Sequence, residues 1–425
     1  MDQLVIQGGR KISGIVSARG AKNAALPILF ATLLSDRECT IENVPNLADI
    51  STTLKILRQM GVETTYDPTT RLATIRAKTV TSPIAPYELV RTMRASVLVL
   101  GPLVARFGQA KVSLPGGCSI GARPVNLHLM ALEKMGATIE IAEGYIHARC
   151  RSLKGAEIEF PQISVGATEN TIMAAVLANG RTIIKNAARE PEITDLAKFL
   201  NSIGAKIQGA GTATIEIEGV EKLHAGSHRV VSDRIEAGTY LIAGAITEGD
   251  VTVENIDEDL LGAFASKLRS SGCDLTKNGT GLRVRGARKI LPVSFFTEPF
   301  PGFATDMQAQ FMALLTMAHG VSVVTENIFE NRFMHVAELL RLGAKIAVAG
   351  NKATIEGLGD SGRYLSGASV MATDLRASAC LVLAGLAAKG ETTVKRIYHL
   401  DRGYERMEEN LTALGAEIRR EKDPD

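Results

Sequence analysis

The chain has 425 residues, of which 48 are Lys or Arg and 46 Asp or Glu, for a formal charge of +2. Hydrophobic residues at 45% and charged residues at 22% exclude a disordered chain, and a prior of roughly 150 residues per domain suggests two or three domains. The even charge balance, aromatic content of 4% and absence of Trp give no basis for a nucleic-acid or membrane-surface binder.

The N-terminal segment MDQLVIQGGRKISG lacks the apolar core of a signal peptide. Beyond it, the pattern Leu-x-x-x-Gly followed by a strand-like run occurs six times, ending at Gly61, Gly136, Gly204, Gly272, Gly343 and Gly415. The period is about 71 residues and spans the chain. A second marker, Gly before a β-branched strand, recurs at Gly108, Gly180, Gly249, Gly320 and Gly390; the first copy has Ser35-Asp-Arg-Glu instead. Each unit reads as an apolar helix, a strand, an amphipathic helix, Gly-Ala, then one or two strands. Gly just past a helix suits the left-handed cap, and alternating runs such as TATIEIEG read as half-buried strands.

In chain order the apolar helices are AALPILFATLL, SVLVLGPLVA, IMAAVLA, YLIAGAI, FMALLTMA and ASACLVLAGLAA. Helices apolar all round are buried on every side, so helices should lie inside and strands around them. All fall short of the roughly 18 residues needed to cross a bilayer. Six such units are compatible with a solenoid, a ring or two three-fold domains.

Polarity returns in the expected first turns of these helices: Lys22 and Asn23, Arg91 and Arg94, Glu169 and Asn170, Arg234 and Glu236, Asp306 and Gln308, Asp374 and Arg376. Buried charge is costly unless paired or solvated, so these residues should open on a cleft. Acidic residues there are also ordinary caps. Lys22, Arg94 and Arg376 oppose the helix dipole and point instead to an anionic ligand. Asp306 is open to two readings, a cap or a general base for a hydroxyl. Arg402, in HLDRGYERM, either points at the cleft or pairs locally with Asp401 or Glu405.

The segment LPGGCSIGARPVNLH, 114–128, places Cys118 in a glycine-rich loop five residues before Arg123. A thiol near a cation has a lowered pKa and can act as nucleophile or acid; a plain surface thiol is the alternative. Cys39, Cys118, Cys150, Cys273 and Cys380 form no C-x-x-C pair, and scattered thiols suit a reducing, cytoplasmic compartment. No phosphate-loop, G-x-G-x-x-G, H-E-x-x-H or EF-hand pattern is present, so neither a metal nor a cofactor is expected. His128, His335 and His399 read as structural hydrogen bonders.

The segments GAKNAALPILFA, RTMRASVLVLGPLVARFGQAKVSLPGGCSIGARPVNLH, SVGAT, NAAREPEI, TDMQAQF, ENRFMHV, MATDLRASA and HLDRGYER resemble the UDP-N-acetylglucosamine enolpyruvyl transferase family. They run from residue 20 to 406. The related shikimate-pathway transferases share the repeat architecture but not the loop cysteine. A scaffold that merely binds anions would keep the helix-mouth charges and leave Cys118 unexplained.

The resemblance implies an α/β fold, a two-domain inside-out α/β barrel of six βαβαββ-like repeats, three per domain. It puts domain one at residues 22–231 and domain two at 1–21 plus 232–425, with the active site in the cleft between them. It implies transfer of the enolpyruvyl group of phosphoenolpyruvate to the 3′-hydroxyl of UDP-N-acetylglucosamine in bacterial peptidoglycan synthesis. Cys118 is then the acid at the methylene carbon and the target of fosfomycin. Asp306 is the base, Lys22, Arg123 and Arg402 clamp the phosphate, Arg376 and Arg402 lie near the carboxylate, and Asn23 is beside them. The sugar nucleotide would meet Arg94, Arg123, Pro124, Val125, Asn126, Leu127, Gln162, Ile163, Ser164, Val165, Gly166, Asp306 and Ile328, with loop 115–124 as a lid. Asn126 stands where many members have Asp, and Gln162 where many have a basic residue.

Overall fold

A computed structural model describes residues 2–91, 93–114 and 125–423. Its described residues fall into two compact units, one of residues 20–114 and 125–231, the other of residues 2–19 and 232–423.

Three buried helices form the centre of each unit. In the first unit they are α1 (Lys22–Ala31), α2 (Leu100–Phe107) and α3 (Val165–Ala175). In the second they are α4 (Arg234–Ile246), α5 (Thr305–Leu315) and α6 (Leu375–Ala387). These are the segments that are apolar all round, and within a unit they pack on one another. The second helix of each repeat, such as Ala48–Gln59 or Pro191–Ser202, buries one face only.

Each buried helix carries a four-stranded sheet. In the third repeat Glu157–Glu159 runs parallel to Arg181–Lys185 on either side of α3, as a strand-helix-strand crossover requires. Arg181–Lys185 then pairs antiparallel with Thr214–Glu218, which pairs with Lys206–Gln208. The register stacks Ile184 on Ile215, and Ile207 on Ile217, toward the core.

Two sheets borrow their parallel strand. Ser13–Ser17 precedes α1 but pairs with Asp250–Glu254, after α4. Gly226–Arg229 precedes α4 but pairs with Glu38–Glu42, after α1. The chain therefore passes from one unit to the other at residues 19–20 and 231–232. The sixth repeat has one C-terminal strand, Glu417–Lys422, and Asp2–Gln7 completes its sheet between that strand and Glu391–Lys395.

The repeat glycines do what their position requires. Gly61, Gly136, Gly204, Gly272, Gly343 and Gly415 all have φ between +88° and +105° just past a helix. Gly249 differs: Glu248 takes the left-handed conformation, with φ +50°. A Cβ on Gly249 would lie 2.1 Å from the Ile12 carbonyl oxygen, so close approach selects glycine there. No helix among the described residues is long and apolar enough to cross a membrane.

Candidate active site

In the second unit the charged first turns of α4, α5 and α6 come together with a loop after the fifth-repeat strand. Asp306 is the second residue of α5 and does not cap it; the cap position is Ala304. Its carboxylate instead accepts from Arg332 Nη2 at 2.7 Å and from Arg376 Nη2 at 2.9 Å. Both arginines are buried, whereas the Asp306 side chain is 28% exposed. Two buried cations thus share one partly exposed carboxylate. Burial opposes the Arg376 charge, yet Asp306 holds its pKa above the ordinary arginine value. Asp374 is the true cap of α6, its Oδ1 accepting from the amides of Arg376 and Ala377 at 2.8 and 3.0 Å.

Arg402 ends the short 3-10 turn Leu400–Arg402 and is half-buried. Of its acidic sequence neighbours, Asp401 meets Arg420 at 2.6 Å and Glu405 meets Arg19 at 3.3 Å. Ile328 is exposed in the turn after Val321–Thr325. Its amide donates to Glu326 Oε1 at 2.8 Å, and the other oxygen of Glu326 accepts from Thr305, next to Asp306. Arg234 and Glu236 follow the Asp233 cap of α4. Glu236 accepts from the Arg19 amide at 2.9 Å. Full burial, then Asp233, pushes its carboxyl up to about 7.

In the first unit Lys22 opens α1 and is buried, with Nζ 3.1 Å from Asp49 Oδ2. Asn23 beside it is exposed. Arg94 begins the 3-10 segment Arg94–Val99 that leads into α2 and is half-buried. Arg91 is an exception to the helix-mouth pattern: it sits on the surface, paired with Glu88 at 2.9 Å. Glu169 and Asn170 are another. α3 begins at Val165, so they fall in its second turn and are buried in the core. Burial, reinforced by Glu192 and Glu190, raises the Glu169 pKa well above normal.

Two neighbouring helix N-termini gather the remaining residues of this unit. Val125 is the cap position of the helix Asn126–Lys134, with Asn126 exposed and Leu127 buried. Gln162 is exposed, Ile163 half-buried, and Ser164 caps α3 by accepting from the Ala167 amide at 3.3 Å; Val165 and Gly166 are the first two helical residues. His128 and Asn170 join the two ends, with Nδ1 3.0 Å from Nδ2. A Cβ on Gly166 would lie 3.2 Å from the His128 ring. Burial pushes His128 down to about 4, so it serves as a neutral hydrogen bonder. Asn170 Oδ1 also accepts from the Gly101 amide at 2.7 Å, where the 3-10 turn gives way to α2.

Asp49 and Arg332 were not among the candidates read from the sequence. The one available signal for either is that a buried cation such as Lys22 or Arg376 needs a carboxylate. Cys118, Arg123, Pro124 and the rest of loop 115–124 lie outside the described residues. Among those described, no three His, Cys, Asp or Glu side chains are grouped to hold a metal. Burial pushes the Cys39 thiol up to about 11 and raises that of Cys380 as well.

The profile of the family described as EPSP synthase (3-phosphoshikimate 1-carboxyvinyltransferase) matches residues 6–411. A UDP-N-acetylglucosamine 1-carboxyvinyltransferase of Myxococcus xanthus (strain DK1622) is 56% identical over 99% of this chain and 100% of its own. One of Geotalea uraniireducens (strain Rf4) is 56% identical over 98% of this chain and 99% of its own. Among solved structures, the enolpyruvyl transferase NikO from Streptomyces tendae superposes with a TM-score of 0.89 at 26% identity, covering 100% of this chain and 99% of that one. With identity above half along nearly the whole length, the chain belongs to the enolpyruvyl transferase family, among the UDP-N-acetylglucosamine 1-carboxyvinyltransferases.

Proposed function

We propose that the chain transfers the enolpyruvyl group of phosphoenolpyruvate to the 3′-hydroxyl of UDP-N-acetylglucosamine and releases phosphate, the first committed step of bacterial peptidoglycan synthesis. The observation that carries this reading is 56% identity over 99% of the chain with a carboxyvinyltransferase named for that acceptor. The free thiols of Cys39, Cys150, Cys273 and Cys380 suit a cytoplasmic setting.

The reaction is an addition followed by an elimination. The Cys118 thiol gives its proton to the methylene carbon, which makes C2 electrophilic. The sugar hydroxyl attacks C2 while Asp306 takes its proton, and a tetrahedral ketal forms. The methyl carbon then returns a proton to the Cys118 thiolate as the C2–O bond to phosphate breaks, and the proton held by Asp306 leaves with the phosphate. Lys22, Arg123 and Arg402 receive the phosphate, with Arg376 and Arg402 near the carboxylate and Asn23 beside them. Cations fixed in advance favour charge moving onto the departing phosphate. Arg332 and Arg376 hold the Asp306 carboxylate in one orientation.

Arg94, Arg123, Pro124, the helix start Val125–Leu127 and the segment Gln162–Gly166 take the sugar nucleotide, with Asp306 and Ile328. Two helix N-termini side by side present amides suited to a diphosphate.

Phosphate release from phosphoenolpyruvate tests the reading, with UDP-N-acetylglucosamine and shikimate 3-phosphate supplied separately. Release with the sugar nucleotide alone is expected. Release with shikimate 3-phosphate alone would assign the chain to the other branch of the family, and release with neither would leave only an anion-binding scaffold.

A further inference from the structure

We propose that Tyr404, through a hydroxyl shared with Thr239 and Gln310, is a positioning residue that fixes Arg402 relative to Asp306 and Arg376 for binding phosphoenolpyruvate. The inference rests on the reaction proposed above and adds three residues to it.

Tyr404 lies two residues after Arg402, with 1% of its surface exposed. Its hydroxyl is 2.8 Å from Thr239 Oγ1 on α4 and 3.3 Å from Gln310 Nε2 on α5. Gln310 Nε2 also donates to the backbone carbonyl of Asp306 at 2.9 Å. The direction of the protons follows from the count of donors. Thr239 has one hydroxyl proton, and it goes to the Ile235 carbonyl at 2.7 Å. Tyr404 must then donate to Thr239, and its oxygen accepts from Gln310. Donors therefore run from α5 to α4 through the Arg402 segment, beside a longer direct bond of 3.4 Å from Gln310 Nε2 to Thr239 Oγ1.

A second contact holds the same segment against α6. A Cβ on Gly403 would lie 2.6 Å from Leu375 Cδ2, the residue before Arg376. Glycine thus lets the backbone between Arg402 and Tyr404 press on the first turn of α6. The Arg402 backbone is tied on one side to the helix of Asp306 and on the other to that of Arg376. Packing alone does not call for this arrangement. Phe, Val and Leu would fill the same volume without burying polar groups, so the network's effect is orientation.

The test is steady-state kinetics of the full-length enzyme with both substrates varied. Tyr404→Phe removes the hydroxyl and keeps the ring. It should raise KM for phosphoenolpyruvate by roughly tenfold, the scale of one buried hydrogen bond, with a smaller loss in kcat and an unchanged KM for UDP-N-acetylglucosamine. Thr239→Val should give the same shift, and the double variant should be little worse than either single one, because both break the same Tyr404–Thr239 bond. Thr239→Ser keeps the hydroxyl and should retain the parent values. A parent-like phosphoenolpyruvate KM in Tyr404→Phe would overturn the proposal. So would an equal rise in both KM values, or fully additive effects in the double variant. If the parent itself released no phosphate with these substrates, the reaction would fail and the network with it, and that result appears before any variant is made.

Discussion

Asp306 has two duties that a single substitution separates: it partners two buried arginines and it is the proposed base. Asp306→Asn keeps the shape but turns one acceptor into an N–H donor facing a guanidinium. The loss of charge-assisted hydrogen bonds should lower stability by about 1–3 kcal/mol, read by urea unfolding. Loss of the base should lower kcat by roughly 10²–10⁴. A stability loss with near-normal kcat would leave Asp306 a purely structural partner. The charge at position 306 was legible in the sequence, but its partners were not. Lys22 and Asp49 are 27 positions apart and Arg376 and Asp306 are 70 apart. Which carboxylate a buried cation meets is decided by packing between elements, and no local pattern records it.

Among the elements, glycines serve two different purposes, and substitution by Ala should tell them apart. Gly415 has φ +95°, and a Cβ there would meet nothing within 4 Å, so Gly415→Ala meets only backbone strain, about 1–2 kcal/mol. Gly101 on α2 has Asn170 O and Oδ1 each 2.4 Å from where a Cβ would stand. Gly101→Ala must push α2 away from α3 and disturb the bond that the Gly101 amide donates to Asn170 Oδ1. It should cost more than Gly415→Ala, roughly 3 kcal/mol or above. Equal losses in urea unfolding would show that the α2–α3 approach yields easily. The same contrast explains what was readable. A left-handed cap is a local demand, so six glycines announce six repeats. The start of α3 was not readable, because Val165-Gly-Ala-Thr is small and weakly patterned, and the polar pair Glu169 and Asn170 looked like the first turn. The resemblance placed residues 1–21 with the C-terminal half, but which strands Ser13–Ser17 and Gly226–Arg229 pair with was not readable, since a parallel strand's partner is set by topology.

For the molecule as a whole, buried titrating groups of opposite sense shape stability between pH 4 and 7. Burial, then Asp233, pushes Glu236 from 4.5 up to about 7, with the Arg19 amide opposing. The folded chain keeps a proton there that the unfolded chain releases. That contribution is fully present below pH 4.5 and is lost as pH rises through 7. Glu169, also raised, acts in the same direction. Burial pushes His128 and His335 from 6.5 down to about 4, so the unfolded chain takes up protons that the folded one refuses. Their contribution is present above pH 6.5 and is lost as pH falls through 4. The two trends offset each other in the overlapping window and flatten the parent's profile. Glu236→Gln keeps an acceptor for the Arg19 amide and removes one side of that balance. At pH 8 the variant should be more stable than the parent by up to about 3 kcal/mol. The gain should shrink to nothing by pH 4.5, leaving the histidines' rise with pH more visible. Urea unfolding of both proteins at pH 5, 6, 7 and 8 measures the difference directly. Parallel profiles at all four values would mean that Glu236 ionises in the folded chain as readily as in the unfolded one, and that its burial at the start of α4 carries no proton.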